Sequence, residues 1–130
     1  MNAPVRLVIA DDSETIRRAI CTLLQVQSAV IVCGEACDYT DLVKIVSTSA
    51  ADVILMDMRM PGEKLIDAAT IKGHLHGSCL LAMSFADDEE TVNLAKEYGA
   101  LKLLDKMELA STLIPAIEEC MNGSRKTATP

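Results

Sequence analysis

Short apolar runs alternate with segments of helical period along the whole chain, and this alternation restricts the folds that the chain can adopt. The pattern predicts strands over residues 5–10, 30–34, 53–57, 78–84 and 101–104. It predicts helices over residues 13–26, 39–48, 64–75 and 87–98, and a last helix that ends at Gly123. Five strand–helix repeats with short connections indicate an α/β fold, a doubly wound parallel sheet with helices on both faces.

Three helix boundaries carry specific signals. Ser13 is placed to cap the first helix. Asp87 opens the fourth helix with Glu90 three residues later, as in a capping box. Pro115 lies inside the pattern of the last helix, so that helix either starts late, with Ser111 as its cap, or bends at the proline.

The length of 130 residues predicts a single domain over residues 1–123. Residues 124–130 are polar and poor in apolar side chains, so we expect a flexible tail or the start of a linker. No apolar run approaches the length of a membrane span and no secretory leader is recognised, which favours a cytoplasmic protein without membrane contact.

The net charge of −7 argues against direct, nonspecific binding of nucleic acid by this domain. Only three residues are aromatic, too few for a base-stacking surface. The five cysteines are an odd number without a Cys-x-x-Cys pair, and we expect them to be buried, reduced thiols.

Carboxylates end two of the predicted strands. Asp11 and Asp12 follow the first strand, and Asp57 ends the third. The carboxyl ends of parallel strands meet at one edge of the sheet, where three acids repel one another unless a cation lies among them. The sequence therefore predicts a divalent metal site, although Asp12 taken alone is as well suited to cap the following helix.

Two further polar residues follow strands at the same edge: Ser84 after the fourth strand and Lys106 after the fifth. With these in place, the chain resembles the receiver domain of a two-component response regulator over about residues 5–122. The motifs that carry the resemblance are Leu-Val-Ile-Ala-Asp-Asp at 7–12, Leu-Met-Asp-Met-Arg-Met-Pro-Gly at 55–62, Met-Ser at 83–84, Gly-Ala at 99–100 and Leu-Leu-Asp-Lys at 103–106. The resemblance implies a flavodoxin-like sheet with strand order 2-1-3-4-5 and five helices.

By the same resemblance, Asp57 is the nucleophile that becomes an aspartyl phosphate. Asp12, Asp57 and the backbone carbonyl of Arg59 would bind Mg²⁺, with Asp11 acting through a water. Lys106 would pair with the phosphoryl oxygens, and Ser84 would donate its hydroxyl to them. The implied partner is a histidine kinase or a phosphotransfer protein, and a homodimer is a further implied assembly.

The chain departs from the family pattern near this site. Leu103 stands where an aromatic switch residue is usual, so activation has to be communicated differently. Phe85 stands where small residues are usual, and it either narrows access to the site or packs under the fourth helix, with packing favoured. Arg59 overhangs the site and could tune access or contact the phosphoryl group. The loop after Pro61 and Gly62 also lacks the usual Asp-Gly.

Two functions remain open from sequence alone. The first is a phosphorylatable switch, catalysing only its own phosphorylation and dephosphorylation, that regulates transcription through an output domain outside this chain. The second is a pseudo-receiver, an interaction module that no longer switches by phosphorylation. A flavin-binding flavodoxin is excluded because no phosphate-binding loop follows the first strand, and a phosphatase enzyme because its Asp-x-Asp strand is absent.

Overall fold

A computed structural model describes residues 3–61, 68–75 and 77–128, with side chains as far as residue 123 and without that of residue 68. The strands are β1 (Val5–Ala10), β2 (Val30–Ala36), β3 (Val53–Asp57), β4 (Cys79–Ser84) and β5 (Lys102–Asp105). The helices are α1 (Glu14–Leu24), α2 (Tyr39–Ser49), α3 (Ala68–His74), α4 (Glu89–Glu97) and α5 (Leu109–Ala128), with a 3-10 turn at Lys106–Glu108. All strand pairs are parallel and the order is β2-β1-β3-β4-β5. The predicted fold is confirmed.

Alternation of side chains along the strands divides the core into two layers. One face of the sheet carries residues such as Val8, Ile54 and Ala82 and packs against α2, α3 and α4. The other face carries Leu7, Leu55 and their neighbours and packs against α1 and α5. All five residues of β3 are buried, as expected for a central strand covered on both sides.

Close packing at one strand also explains a glycine. Gly34 lies in β2 beneath α2, where a Cβ would come 2.7 Å from Cγ2 of Ile45. A larger residue at this position would have to displace the Ile45 side chain, so glycine allows the strand and α2 to pack closely.

The first and fourth helices begin and end near their predicted bounds, with one correction. Ser13 caps α1 by accepting from the backbone N–H of Ile16 at 3.2 Å, so the alternative that Asp12 is the cap is wrong. Asp88, rather than Asp87, caps α4 and accepts from the N–H of Thr91. The predicted pairing of Asp87 with Glu90 is therefore wrong by one residue.

The last helix extends further than predicted, and one of the two alternatives for its start is wrong. It begins at Leu109 and passes through Pro115, so the late start with Ser111 as cap is wrong. Ser111 instead donates its hydroxyl to the carbonyl of Glu108. The helix also continues past Gly123 to Ala128. The predicted start of α3 at Lys64, the altered loop after Pro61, His76 and the last two residues of the tail lie outside the described residues.

Two cysteines are bonded to each other, which corrects the expectation of reduced thiols throughout. Cys79, at the start of β4, forms a disulfide with Cys120 in α5. Cys21, Cys33 and Cys37 are free. Sequence spacing gave no signal for this pair because the two residues are 41 positions apart and meet only when α5 packs on the sheet.

Candidate functional site

The three predicted acids meet at the carboxyl edge of the sheet. Asp57 is the last residue of β3, and Asp11 and Asp12 directly follow its neighbour β1. Oxygen atoms from the three carboxylates lie within 4.8 Å of one another. Asp11 is fully buried and Asp57 is 4% exposed, whereas Asp12 is exposed. The cluster therefore has two buried carboxylates at its base and one at its mouth.

Lys106 is the cation that the protein itself supplies to this cluster. Its Nζ lies 2.6 Å from Oδ2 of Asp11 and 3.2 Å from Oδ2 of Asp57. Only 6% of its side chain is exposed, so the ammonium is largely desolvated where it contacts the two acids. A buried charge of this kind is tolerated because it is paired, and removing one partner leaves the others uncompensated.

Burial changes the acidity of Asp57. Loss of hydration raises the pKa of the Asp57 carboxyl above its usual value of 3.8, and the nearby charge of Asp11 raises it further. Lys106 and the N–H of Arg59, which donates to Oδ1 at 3.2 Å, oppose that rise in pKa without cancelling it. The positive groups around Asp57 therefore do not fully compensate for the burial of its ionised carboxylate.

A divalent cation fits this donor set. Oδ2 of Asp11 is buried and accepts no hydrogen bond of good geometry among the described residues, although the Lys106 ammonium lies close to it. The cluster offers three carboxylates, including the Oδ2 atom of Asp11, and it is accessible to solvent where Asp12 is exposed. This matches the preference of Mg²⁺ for a few carboxylates plus waters. The backbone amide of Arg59 faces Asp57, and the role of its carbonyl as a ligand stays a prediction.

Ser84 and Phe85 form the wall of the cleft at the end of β4. Ser84 is buried, and its Oγ accepts from the N–H of Ala86 at 3.1 Å. The expectation that Phe85 packs under α4 is wrong, since its side chain is 62% exposed. The ring instead lies 5.0 Å from Nζ of Lys106, a cation–π distance.

Arg59 reaches away from Asp57 toward α4. Its Nη2 donates to Oγ1 of Thr91 at 3.1 Å and lies 3.9 Å from Oδ2 of Asp88. Thr91 is 1% exposed, so this hydroxyl is a buried anchor for an otherwise half-exposed guanidinium. The side chain therefore joins the loop after β3 to the first turn of α4.

Seven of the eight predicted site residues line one cleft of about 490 Å³: Asp11, Asp12, Asp57, Arg59, Ser84, Phe85 and Lys106. Leu103 is the exception. It is half-buried against the core and lines an adjoining cavity of about 260 Å³ together with Ser84 and Phe85. The position that is usually aromatic in the family thus borders open space beside Ser84.

Sequence reasoning missed two residues that support the site. Thr91 anchors Arg59, as described above. The fully buried Tyr39 at the start of α2 donates its hydroxyl to the backbone carbonyl of Asp57 at 3.3 Å, and its ring stacks on Tyr98, the residue that caps the end of α4. With only three aromatic residues in the chain, each of them was a candidate for a specific structural role, and this was the available signal for Tyr39. Nothing in the sequence distinguishes Thr91 from any other threonine in a first helical turn.

The fold and this cluster define a class of protein, and comparison with known proteins agrees. Residues 7–118 match the response regulator receiver domain family, and the chain belongs to it. The transcriptional regulatory protein PdtaR of Mycobacterium tuberculosis is 31% identical over 123 residues, covering 95% of this chain and 60% of PdtaR. LiaR of Bacillus subtilis, also a transcriptional regulatory protein, is 31% identical over 94% of this chain and 58% of its own length.

Solved structures are similar over the same span. The receiver domain of NarL from Mycobacterium tuberculosis superposes with a TM-score of 0.82 at 28% identity, covering 94% of this chain and 99% of that domain. The present chain spans about 60% of the length of PdtaR and LiaR. Within the described part of the chain, no helix has the length and apolar character required to cross a bilayer.

Proposed function

We propose that this domain is a phosphorylation switch in which Asp57 receives a phosphoryl group from a histidine kinase or a phosphotransfer protein. The Asp57 carboxylate attacks phosphorus, a P–O bond forms, and the bond from phosphorus to the donor histidine breaks in line. The observation that carries the proposal is the meeting of Asp57 with Asp11, Asp12 and Lys106 in one cleft.

Each residue of the cleft has a proposed role. Asp12, Asp57 and the carbonyl of Arg59 would hold Mg²⁺, with Asp11 acting through water. The bound ion would offset the charge that builds up between carboxylate and phosphoryl group. Lys106 would turn from Asp57 to the phosphoryl oxygens, for which its distance of 3.2 Å to the carboxylate leaves it well placed. Ser84, whose Oγ accepts from the N–H of Ala86, would donate its hydroxyl proton to a phosphoryl oxygen.

Arg59 is the proposed route by which the signal leaves the site, because Leu103 supplies no aromatic switch. The guanidinium lines the same cleft as Asp57 but is held by Thr91 and Asp88 on α4. A phosphoryl group adds about two negative charges beside it, which compete with these partners. Drawing Arg59 inward would release the first turn of α4 and alter the surface that a partner or a second copy contacts.

The proposed output is regulation of transcription from the cytoplasm by a domain outside this chain, reached through residues 124–130 as a linker whose first part, as far as Ala128, continues α5. Support comes from PdtaR and LiaR, which are both transcriptional regulatory proteins and are longer than this chain. The acidic net charge of −7 makes direct DNA contact by the receiver itself unfavourable. The proposed assemblies are a transient complex with the kinase and a homodimer of the phosphorylated form.

The test is intact-mass measurement after incubation with Mg²⁺ and a small acyl phosphate. We expect a gain of one phosphoryl group that is lost without Mg²⁺ and in Asp57→Asn. Asp87→Asn is the matched control, because Asp87 is an exposed acid outside the cluster, and it should still gain the group. No gain in the wild type with both an acyl phosphate and a phosphorylated histidine donor would overturn the proposal.

That negative outcome would favour the second candidate, a pseudo-receiver that binds partners independently of phosphate. Its specific support is the exposed ring of Phe85 over Lys106, which restricts the approach of a donor, together with the missing aromatic at Leu103. Phe85→Ala distinguishes the two cases. If the ring only restricts access, this variant gains the phosphoryl group faster than the wild type.

A further inference from the structure

The disulfide ties the sheet to the last helix at the edge opposite the phosphorylation site. Cys79 is the first residue of β4, and Ser84 is the last. At a rise of about 3.3 Å per residue, the two ends of this strand are about 17 Å apart. Cys120 lies in α5 with its Cα 5.7 Å from that of Cys79. The bond therefore belongs to a part of the molecule that the Asp57 chemistry does not use.

Small molecules have access to this bond. Cys79 is half-buried, and both cysteines line an open cleft of about 450 Å³. Leu101, which is 50% exposed, and Glu119 form part of its wall. Cys120 is only 3% exposed and Cys79 is the more exposed residue of the pair, so we expect an incoming thiolate to attack the sulfur of Cys79. A disulfide enclosed in the core would offer no such approach.

The pairing is also selective. Of the five cysteines, Cys21, Cys33 and the exposed Cys37 remain thiols, while the pair that closes lies where α5 meets β4. Next to Cys120 in the same helix, Glu119 forms an ion pair with Lys102 at 2.7 Å. The C-terminal half of α5 is thus held to the sheet by one covalent bond, one half-exposed ion pair and the apolar packing of residues such as Met121.

We propose that Cys79 and Cys120 form a reversible thiol–disulfide modification site that exchanges with a low-molecular-weight thiol and sets how firmly the end of α5 is held. A thiolate attacks the sulfur of Cys79, the bond between the cysteines breaks, and Cys120 leaves as a thiolate that takes a proton. A second small thiol attacks the mixed disulfide, releasing Cys79 as a thiol and a small-molecule disulfide. Two small thiols are oxidised and one protein disulfide is reduced, and the reverse sequence restores the bond.

The site acts on the helix end rather than on phosphoryl chemistry. With the bond formed, α5 is fixed at Cys120 and runs on to Ala128 from that anchor. With the bond open, the ion pair of Lys102 and the apolar contacts of residues such as Ile117 hold it alone. The last turns of the helix then open more often to solvent.

The experiment equilibrates the folded chain in buffers of graded reduced and oxidised glutathione, then unfolds it in guanidinium with excess maleimide and counts adducts by mass. Five adducts are expected in reduced glutathione, and three at an intermediate ratio that leaves only the three free thiols. Peptide mapping should assign the difference to Cys79 and Cys120. Cys120→Ser removes the difference, and Cys37→Ser, which alters an exposed free cysteine, retains it.

Two results would overturn the proposal. Five adducts at every ratio would mean that the disulfide does not form. Three adducts in fully reduced glutathione would mean that the disulfide is a permanent cross-link.

A second measurement tests the effect of the disulfide on α5. Opening the bond should lower Tm by roughly 10 °C, the order expected for a loop of this size. It should also speed amide exchange at the end of α5 while leaving phosphoryl uptake at Asp57 unchanged. Equal rates of amide hydrogen exchange in the two redox states would show that the disulfide does not control the end of α5.

Discussion

Lys106 holds two buried carboxylates in place, and its removal should expose how much they repel each other. Its ammonium contacts both Asp11 and Asp57 and is itself nearly buried. We expect Lys106→Met to lower the free energy of unfolding by about 3 kcal/mol at neutral pH, because it leaves uncompensated buried charge. Urea denaturation measures this loss.

The control for Lys106→Met is a lysine whose ion pair is half exposed. Lys102→Met breaks only the contact with Glu119 and should cost less than about 1 kcal/mol. Added Mg²⁺ should restore much of the stability of Lys106→Met, since a second cation replaces the first. Equal losses in the two variants would contradict the role assigned to Lys106.

Asp57 should make stability fall as pH rises, opposite to the effect of a carboxylate in a favourable ion pair. Its pKa is raised mainly by burial, so the folded protein keeps a proton that the unfolded chain has already lost. The excess of bound protons in the folded state makes stability decrease from about pH 3.8 upward until the raised pKa is passed.

Asp57→Asn carries no such charge and should be more stable than the wild type at neutral pH, with Tm raised by a few degrees. The difference should shrink on acidification and vanish below the unfolded pKa. Thermal melts across this pH range provide the measurement. A variant that is less stable at neutral pH would mean that the Asp57 carboxylate is stabilised by Lys106 more than it is destabilised by burial.

At the scale of elements, one side chain connects the loop after β3 to α4. Arg59 and Thr91 should show a coupling energy of about 0.5–1 kcal/mol in a double-mutant cycle of Arg59→Ala and Thr91→Val, because their hydrogen bond is 3.1 Å long and its acceptor is buried. The same cycle between Arg59→Ala and Asp88→Asn should give almost none, since that pair is 3.9 Å apart and exposed. Equal couplings would show that Thr91 is not the anchor.

Local sequence patterns predicted the elements well wherever a local cause forms them. Buried strands such as β3, and the cap of α1 at Ser13, follow from neighbours within a few residues. The errors arose where distant contacts decide. α4 begins one residue later than predicted, where Thr91 also meets Arg59, and Phe85 is exposed rather than packed under the helix.

The last helix shows the same limit. Pro115 lacks an N–H and should disfavour a continuous helix, yet α5 passes through it. Burial of Leu113, Ile117 and Cys120 on either side of the proline stabilises the helix against the lost hydrogen bond. The pairing of Cys120 with Cys79 is likewise a property of packing, which no spacing rule contains.

At the scale of the whole molecule, the position of the acid cluster would couple the proposed binding of Mg²⁺ to folding. Asp11 and Asp12 follow β1 while Asp57 ends β3, so their oxygens come within 4.8 Å only when the sheet is assembled. An ion that binds the folded chain alone stabilises it by about 2.7 kcal/mol at a hundred times its Kd. For a domain of this size, that corresponds to a rise in Tm of roughly 8–10 °C.

Asp12→Asn should abolish this rise, because Asp12 is the exposed member through which the proposed ion reaches solvent. Differential scanning calorimetry with and without Mg²⁺ measures it, and Asp87→Asn, outside the cluster, should retain the full shift. Asp12 also makes no cap to α1, so the variant should keep the metal-free Tm of the wild type within a few degrees. If Mg²⁺ raised the Tm of Asp12→Asn as much as that of the wild type, the ion would bind somewhere other than the acids at the sheet edge.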